Sequence, residues 1–175
     1  MPDANTMLRK DHRRVKELFR RFENTEDKRE QKAIADQAIF ELDIHSRLEE
    51  EIYYPAVRKM SGDVDEIMNE AEEEHHVVDV LMQELLKMEP SDPMFAAKFT
   101  VMSENVEHHI DEEESEMLPK AAELGMSKME DLGARMERRK QELMRGTPKS
   151  GRRTNGARSS GGGSRRTASG KSRSK

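Results

Sequence analysis

Apolar side chains recur every three or four residues over four long stretches of this chain, which is the spacing of amphipathic α-helices. Their core-facing stripes run from Leu8 to Phe22, from Ile34 to Ala56, from Ile67 to Leu85 and from Phe95 to Met117. Short polar breaks separate the stretches at residues 24–27, 61–63 and 90–93. Helices of this length with short connections predict an all-α protein, an antiparallel up-down-up-down four-helix bundle.

Several residues signal where these helices begin and end. Thr6 is the favoured cap of the first helix, because a Thr side chain can accept a hydrogen bond from the first turn. Residues 61–63, Ser-Gly-Asp, predict a stop and a new cap, and the two prolines of residues 90–93 predict a turn. The third helix is expected over residues 65–88 and the fourth up to residue 123. Pro55 and Pro119 should bend or end their helices, since each removes an intrahelical hydrogen bond.

The helical pattern weakens after the fourth helix. Sparse apolar residues between Ser127 and Arg145 predict a short C-terminal helix packed on one end of the bundle. Residues 147–175 are mostly Gly, Ser, Arg and Lys, so they offer nothing that could form a core and should be disordered. The predicted organisation is one domain over residues 1–146 and a tail over residues 147–175.

Charge divides the chain at the same place. Nine of the 31 Lys and Arg residues, and no Asp or Glu, lie in residues 147–175, which leaves 22 basic against 36 acidic residues in residues 1–146, a net charge of −14. The basic tail could contact nucleic-acid phosphates nonspecifically, keep the protein in solution, or fold back on the acidic body. It has no aromatic residue, so base stacking is not indicated.

Composition excludes several classes of site. The chain has no Cys, which excludes disulfides, thiolate zinc sites and iron–sulfur clusters. No stretch approaches the ~18 consecutive apolar residues of a membrane span, and the N-terminus has no apolar export signal. A cytoplasmic protein without membrane contact is therefore expected.

A His-x-x-x-Glu motif, followed six residues after its Glu by a Pro, occurs in both the second and the fourth predicted helix. The two copies are His45, Glu49 and Pro55, and His109, Glu113 and Pro119. Positions four residues apart lie one turn above the other on the same face of an α-helix. Each copy therefore directs an imidazole and a carboxylate at one spot.

All four predicted helices carry one His within the apolar stripe. These are His12, His45, His75 and His109, and Glu49 and Glu113 share the stripes. Burying two carboxylates without an opposing charge costs several kcal/mol for each, and hydrogen bonds from four imidazoles would not offset this. A pair of metal ions would, and imidazole and carboxylate ligands suit iron or manganese.

Neighbouring histidines leave a choice of register on two helices. His109 lies near the centre of its apolar stripe, whereas His108, which also has a Glu four residues later, lies about 100° away on the helix. His75 lies on the apolar face of the third helix and His76 points nearly away from it. A regular spacing of the histidines along the chain would favour His76, but loop lengths need not repeat. His75 is therefore chosen because it lies on the apolar face of the helix.

A His on each of four helices, with His-x-x-x-Glu on the second and fourth, resembles the hemerythrin-like family, which carries the HHE cation-binding domain. The resemblance covers about residues 5–123. It implies a hemerythrin-like four-helix bundle that holds two non-haem iron ions, bridged by an oxo or hydroxo group, and binds O₂ without a porphyrin. It also implies that the four His side chains are terminal iron ligands and that Glu49 and Glu113 bridge the ions. The implied ligands are His12, His45, Glu49, His75, His109 and Glu113.

The third helix departs from the pattern of oxygen-carrying hemerythrins, which have two His four residues apart there. In this chain Asp79 stands four residues after His75. Two octahedral iron ions would then keep two open positions rather than one. The additional position is expected to hold water or a side chain, and the candidates are Glu72, Asp79 and Tyr53.

A second open position favours sensing, iron handling or peroxide chemistry over O₂ transport. The expected function is therefore the binding of O₂ or a related ligand, such as NO or peroxide, in oxygen or iron sensing or in a stress response. Binding is favoured over enzymatic turnover. Two alternatives stay open: a di-iron enzyme that decomposes peroxide as a catalase does, and a zinc- or manganese-binding bundle without O₂ chemistry.

Overall fold

The structure is a computed structural model that describes residues 2–59 and 64–146. Within these residues the chain forms helices and no strand. The α-helices are α1 (Ala4–Glu23), α2 (Lys28–Leu48), α3 (Tyr54–Arg58), α4 (Asp65–Leu85), α5 (Phe95–Glu112), α6 (Leu118–Ala122) and α7 (Met126–Gly146). Two π-helical turns, Glu49–Tyr53 and Glu113–Met117, connect α2 to α3 and α5 to α6. The predicted all-α four-helix bundle with a further C-terminal helix is confirmed.

The core consists of two apolar clusters. One surrounds Leu8, Leu48 and Tyr54 and includes the buried face of α7. The other surrounds Phe19, Leu42 and the inward side chains of α4 and α5. Each His of the predicted site lies in sequence between residues of the two clusters, so the polar side chains form a layer between two apolar regions.

The start of α1 differs from the prediction. Asp3 is its N-cap, and its carboxylate accepts hydrogen bonds from the Thr6 amide at 3.0 Å and from the Thr6 hydroxyl at 2.7 Å. The predicted cap, Thr6, is wrong, because the helix already begins at Ala4 and Thr6 acts as the donor. At the other end of the bundle α4 stops at Leu85, three residues before the predicted end. The stop and cap predicted at residues 61–63 lie outside the described residues.

The C-terminal helix α7 is a full structural element. It has 21 residues, as many as α4, and its bounds lie within one residue of the predicted Ser127 and Arg145. Its apolar residues Met129, Leu132, Met136 and Leu143 are buried. A Cβ at Gly133 would lie 2.5 Å from the Pro2 carbonyl oxygen, so glycine is what lets α7 cross the start of the chain so closely. The predicted tail, residues 147–175, lies outside the described residues.

Both prolines mark a change of helix form rather than an end. Pro55 and Pro119 are each the second residue of the short helix that follows a π turn. A π turn contains one residue more than an α turn, so the amide of Tyr54 donates to the Glu49 carbonyl oxygen, five residues earlier.

None of the helices in the described residues is long and apolar enough to cross a lipid bilayer.

Candidate metal centre

The structure brings all six predicted site residues together inside the bundle. Each is buried, from Glu49 at 0% exposure to His75 at 8%. The faces chosen from the sequence agree with the structure, since His76 is exposed and the side chain of His108 is 65% exposed. The candidate ligands therefore all lie at positions of the helices that face the core.

The ligand atoms fall into two groups, in each of which they lie within 4.8 Å of one another. The first group is His12, His45, Glu49 and Glu113, and the second is Glu49, His75 and His109. Glu49 belongs to both groups. Its Oε1 lies 2.9 Å from Nε2 of His45, and its Oε2 lies 3.3 Å from Nε2 of His75. One carboxylate therefore faces two possible metal positions.

The remaining distances show that the inner nitrogen of each imidazole points to a shared centre. In the first group, Nε2 of His12 lies 3.1 Å from Oε2 of Glu113. In the second, the Nε2 atoms of His75 and His109 approach each other to 3.1 Å. Two neutral imidazole nitrogens would repel each other if both presented a lone pair. A cation between them removes that conflict.

Unsatisfied polar atoms test whether a metal fits this donor set. Within the described residues, the buried side-chain nitrogen and oxygen atoms without a hydrogen-bond partner all belong to His12, His45, Glu49 and Glu113. Both carboxylate oxygens of Glu49 and of Glu113 are among them. Oxygens of both carboxylates lie 2.9–3.3 Å from imidazole nitrogens, and a metal ion bound between these nitrogens and oxygens would satisfy both sets of atoms. The residues fit a metal centre.

The outer nitrogens of the imidazoles face a second set of carboxylates, which the sequence did not single out. Three of the contacts are hydrogen bonds: Nδ1 of His12 to Glu114 at 2.7 Å, Nδ1 of His75 to Glu50 at 2.9 Å and Nδ1 of His109 to Glu74 at 2.8 Å. The fourth is longer, with Nδ1 of His45 lying 4.0 Å from Asp11. The sequence could have indicated these acids by their position, since each of them is directly next to a predicted ligand.

The electrostatics of the centre favour a negative Glu49 and cationic His45 and His75. Burial alone would lower the pKa of His45, but the carboxylates of Glu49, Asp11 and Glu113 together outweigh it and raise that pKa to about 10. Burial is likewise outweighed at His75, where the carboxylates of Glu49 and Glu50 raise the pKa to about 9. The pKa of Glu49 is lowered against the effect of its burial by His45. Burial and the charge of Glu49 raise the pKa of Glu113.

None of the three side chains predicted as an additional ligand reaches the centre. Glu72 is exposed and pairs with Arg58 at 2.9 Å, and Asp79 is exposed on the outside of α4. The hydroxyl of Tyr53 donates instead to Oδ1 of Asn5 at 2.6 Å. The structure therefore offers none of these three side chains as an additional ligand, which leaves water as the remaining candidate.

Tyr54 takes the place that was predicted for Tyr53. Its hydroxyl lies 3.5 Å from Nε2 of His75, and its ring stacks on that imidazole with centroids 5.8 Å apart. The reason is the π turn, in which position i+5 rather than i+4 lies above Glu49. An α-helical spacing therefore selected the wrong tyrosine.

A small cavity opens beside the centre. Its volume is about 20 Å³, and all four ligand histidines line it together with Val15, Leu42, Val78, Val106 and Ile110. A space of this size holds one water-sized molecule. The centre therefore borders a small and largely apolar chamber.

A third group of possible ligands lies on the surface. Nε2 of the exposed His108 is 3.2 Å from Oε1 of Glu112 and 3.8 Å from Oε1 of Glu74. Exposed acids commonly lie beside a histidine without holding a metal, and this group has no buried member. It is distinct from the buried centre.

Comparisons with known proteins agree with this geometry. Residues 3–121 match the family model of the hemerythrin HHE cation binding domain. The chain is 32% identical to the uncharacterized protein Rv2633c of Mycobacterium tuberculosis over 83% of this chain and 89% of that protein. It is 28% identical to the uncharacterized hemerythrin-like protein C869.06c of Schizosaccharomyces pombe over 63% of this chain and 55% of that one.

A solved structure shows the same fold. It is the crystal structure of a hemerythrin HHE cation binding domain-containing protein, an Rv2633c homolog from Mycobacterium kansasii. The TM-score is 0.68 at 30% identity, and the match covers 82% of this chain and 88% of that chain.

Proposed function

Since the chain belongs to the hemerythrin HHE cation-binding domain family, we propose that it is a non-haem di-iron protein that binds O₂ or a related small ligand, such as NO or peroxide. Its role would lie in oxygen or iron sensing or in a stress response. The observation that carries this proposal is the position of Glu49, whose two oxygens face two separate groups of ligands. Carboxylates shared between two ions are typical of two-metal sites.

The donor set assigns each side chain to one of two ions. His12, His45 and Glu113 would hold the first, and His75 and His109 the second. Glu49 would bridge them. The family resemblance implies that Glu113 bridges as well; in this structure Glu113 belongs to the first group alone. Imidazole and carboxylate donors suit iron, manganese or zinc, so the identity of the metal is part of the proposal.

The second group has fewer protein ligands than the first, which supports binding of an external ligand there. It contains two imidazoles and one shared carboxylate. The four histidines and five aliphatic side chains line the small cavity, together with Asp11, Ser46 and Glu74. A chamber of this size holds one molecule about as large as water, which suits a small ligand such as O₂ or NO better than a larger substrate. When bound, a pair of ferrous ions would supply up to two electrons to O₂.

Tyr54 is a proton donor beside the centre that belongs to neither group of candidate ligands. Burial raises the pKa of its phenol well above the ordinary value of 10, so it keeps its proton at neutral pH. Its hydroxyl lies 3.5 Å from Nε2 of His75, in the group with fewer protein ligands. This donor favours a second candidate function, the decomposition of peroxide, for which proton supply beside the metal is required.

Metal analysis and absorption spectroscopy test the proposal. Protein purified without added metal, then loaded anaerobically with Fe²⁺ and desalted, should retain iron in the ratio of two per chain. Stopped-flow mixing of that protein with O₂ should give a visible band that persists if the ligand is held. Protein that retains zinc or manganese and no iron would contradict it.

Oxygen evolution separates binding from turnover. Peroxide added to the iron-loaded protein should release O₂ catalytically if the second candidate function is correct, and Tyr54→Phe should then slow the release. A stable band with no O₂ evolution would leave ligand binding as the function.

A further inference from the structure

We propose that three carboxylates outside the centre act as positioning residues for three of its imidazoles and, together with a fourth carboxylate beside the remaining imidazole, form a closed ring around the bundle. The ring consists of Asp11, Glu50, Glu74 and Glu114. The proposal rests on the proposed metal-binding function and goes beyond it, because none of these four residues belongs to the two groups of candidate ligands that form the buried centre.

Each helix of the bundle supports the histidine of the next helix, and the cycle closes. Asp11 on α1 faces His45 on α2, and Glu50, in the π turn that follows α2, accepts a hydrogen bond from His75 on α4. The cycle continues in the same direction. Glu74 on α4 accepts from His109 on α5, and Glu114, in the π turn that follows α5, accepts from His12 on α1. Each of the four carboxylates comes from a different segment of the bundle.

The position of each acid follows from its place beside a ligand. Asp11 precedes His12 and Glu74 precedes His75, while Glu50 follows Glu49 and Glu114 follows Glu113. Adjacent residues on a helix are rotated by about 100°, so the neighbour of an inward ligand lies at the flank, where the next helix packs. A flanking acid can therefore reach the outer edge of an imidazole on that helix.

An imidazole that donates from Nδ1 presents the lone pair of Nε2 on its opposite edge. A carboxylate on Nδ1 thus fixes both the tautomer and the ring orientation of a metal-binding histidine, and it makes Nε2 a stronger ligand. Nε2 of His12, His45 and His75 lies within 3.3 Å of a centre carboxylate, and Nε2 of His109 meets that of His75 at 3.1 Å. The rings of His12, His75 and His109 have the orientation that their carboxylates would impose.

These contacts differ from ordinary ion pairs on a helix surface. The imidazole of each pair is 7% exposed or less, whereas the carboxylates range from 17% at Asp11 to 47% at Glu50. Exposed ion pairs contribute little because both partners are solvated. Here one partner is fixed in the core, so the carboxylate acts on a side chain that water cannot reorient.

One link of the ring is weaker than the others and depends on α7. Asp11 lies 4.0 Å from Nδ1 of His45, too far for a hydrogen bond, while both of its oxygens lie 2.6 Å from Nζ of Lys140. Lys140 belongs to α7, which follows the residues that match the family model. Asp11 therefore supplies charge to His45 without directing its ring, so its removal should matter least.

The test compares Fe²⁺ affinity among variants, measured anaerobically by competition with a ferrous chelator. Glu50→Ala, Glu74→Ala and Glu114→Ala should each weaken binding about 10- to 100-fold, the range found for partners of metal-bound histidines. The Gln variant at each position keeps an oxygen acceptor and should lose less. Asp11→Asn should also lose less. Glu116→Gln is the matched control, since Glu116 is an exposed carboxylate in the same π turn as Glu114.

A second measurement separates positioning from general loosening of the fold. Imidazole ¹⁵N spectra of the zinc-loaded protein report the tautomer of each histidine. Glu114→Ala should alter the signal of His12 alone, and Glu50→Ala that of His75 alone. Circular dichroism should show that both variants keep their helices.

The outcomes distinguish the two proposals. Wild-type protein that takes up no Fe²⁺ would overturn the proposed function and the ring with it. Wild-type protein that binds Fe²⁺, together with Ala variants of equal affinity, would overturn the ring alone. Equal losses for Ala and Gln, with changes at all four histidines, would also overturn it, because they would indicate a general structural effect.

Discussion

The backbone amide of Tyr54 donates to the carbonyl oxygen of Glu49, five residues earlier. This one contact closes a π turn directly after a candidate bridging carboxylate. It places the Tyr54 ring on His75 and turns the neighbouring Tyr53 toward α1. The two adjacent tyrosines therefore have different surroundings, and substituting each of them should have a different effect on the protein.

Replacing Tyr54 by Phe should change the centre and not the fold. The variant loses the only hydroxyl found within 3.5 Å of Nε2 of His75 among the described residues. We expect unchanged helicity and altered kinetics of the iron-loaded protein with O₂ or peroxide, measured by stopped-flow absorption. Kinetics identical to those of the wild type would show that the phenol has no part in the chemistry.

Replacing Tyr53 by Phe should have the opposite pattern. The Tyr53 hydroxyl donates to Asn5, which in turn donates to the Leu118 carbonyl at 2.7 Å. Removing the hydroxyl leaves a buried acceptor on Asn5 without its partner, which costs about 1–3 kcal/mol. Urea denaturation should show this loss, and iron uptake should stay at the wild-type level.

Glu49 and Glu113 should differ in how much metal the chain keeps. Glu49→Gln weakens both groups of ligands, so the variant should retain less than about one iron per chain. Glu113→Gln affects the first group only, so about one iron should remain. Metal analysis after desalting measures both. Equal losses in the two variants would mean that Glu113 also bridges the ions.

The metal-free protein should lose stability as the pH rises. The pKa of His45 is raised to about 10 and that of His75 to about 9, from an ordinary value of 6.5. Their contribution is therefore fully present below pH 6.5 and is lost as the pH rises through 9 and 10. We expect the free energy of unfolding to fall by a few kcal/mol over that range. Urea denaturation at several pH values measures it.

The iron-loaded protein provides the control for that prediction. A bound ion replaces the protons on both imidazoles, so loading at neutral pH should release protons and the alkaline loss of stability should disappear. Equal pH dependence with and without iron would place His45 and His75 outside the metal centre.

Gly133 should resist substitution. The Cβ of Gly133→Ala would lie 2.5 Å from the Pro2 carbonyl oxygen and 2.9 Å from the Asp3 carbonyl carbon, both of them backbone atoms. We expect a loss of about 1–3 kcal/mol in urea denaturation, as for other overpacked positions. Gly146→Ala is the control, because a Cβ there meets nothing within 4 Å, and it should be neutral or slightly stabilising.

The basic segment, residues 147–175, should confer nonspecific DNA retention if it contacts phosphates. Its Lys and Arg residues have no acidic neighbours in that segment, so binding should weaken steeply with salt. A chain ending at Gly146 should lose the retention in a filter-binding assay. Absence of retention by the full chain at low salt would contradict the prediction.

The sequence sufficed to choose the inward faces of the helices. A His with apolar neighbours three and four residues away must turn toward the core, which separates His75 from His76 and His109 from His108. The two copies of His-x-x-x-Glu could be interpreted correctly because each histidine still lies in regular α-helix.

Two features could not be predicted from residue spacing. The π turns change the register after Glu49 and Glu113, and nothing in an amphipathic pattern indicates one extra residue in a turn. The ring acids are partly exposed, from 17% at Asp11 to 47% at Glu50, so on a sequence that is rich in Glu they look like any solvated helix face. Their partners become visible only when neighbouring helices are packed together.

The two π turns also couple the backbone form of residues 49–53 and 113–117 to the direction in which every later side chain of the same helix faces. If either segment continued as ordinary α-helix with the same number of residues, the side chains after it would rotate by about 100°. Val57, now 1% exposed, would then turn toward solvent. A deletion of one residue that restores the α-helical turn would keep Val57 facing inward, so natural relatives should differ in these segments by one residue more readily than by two.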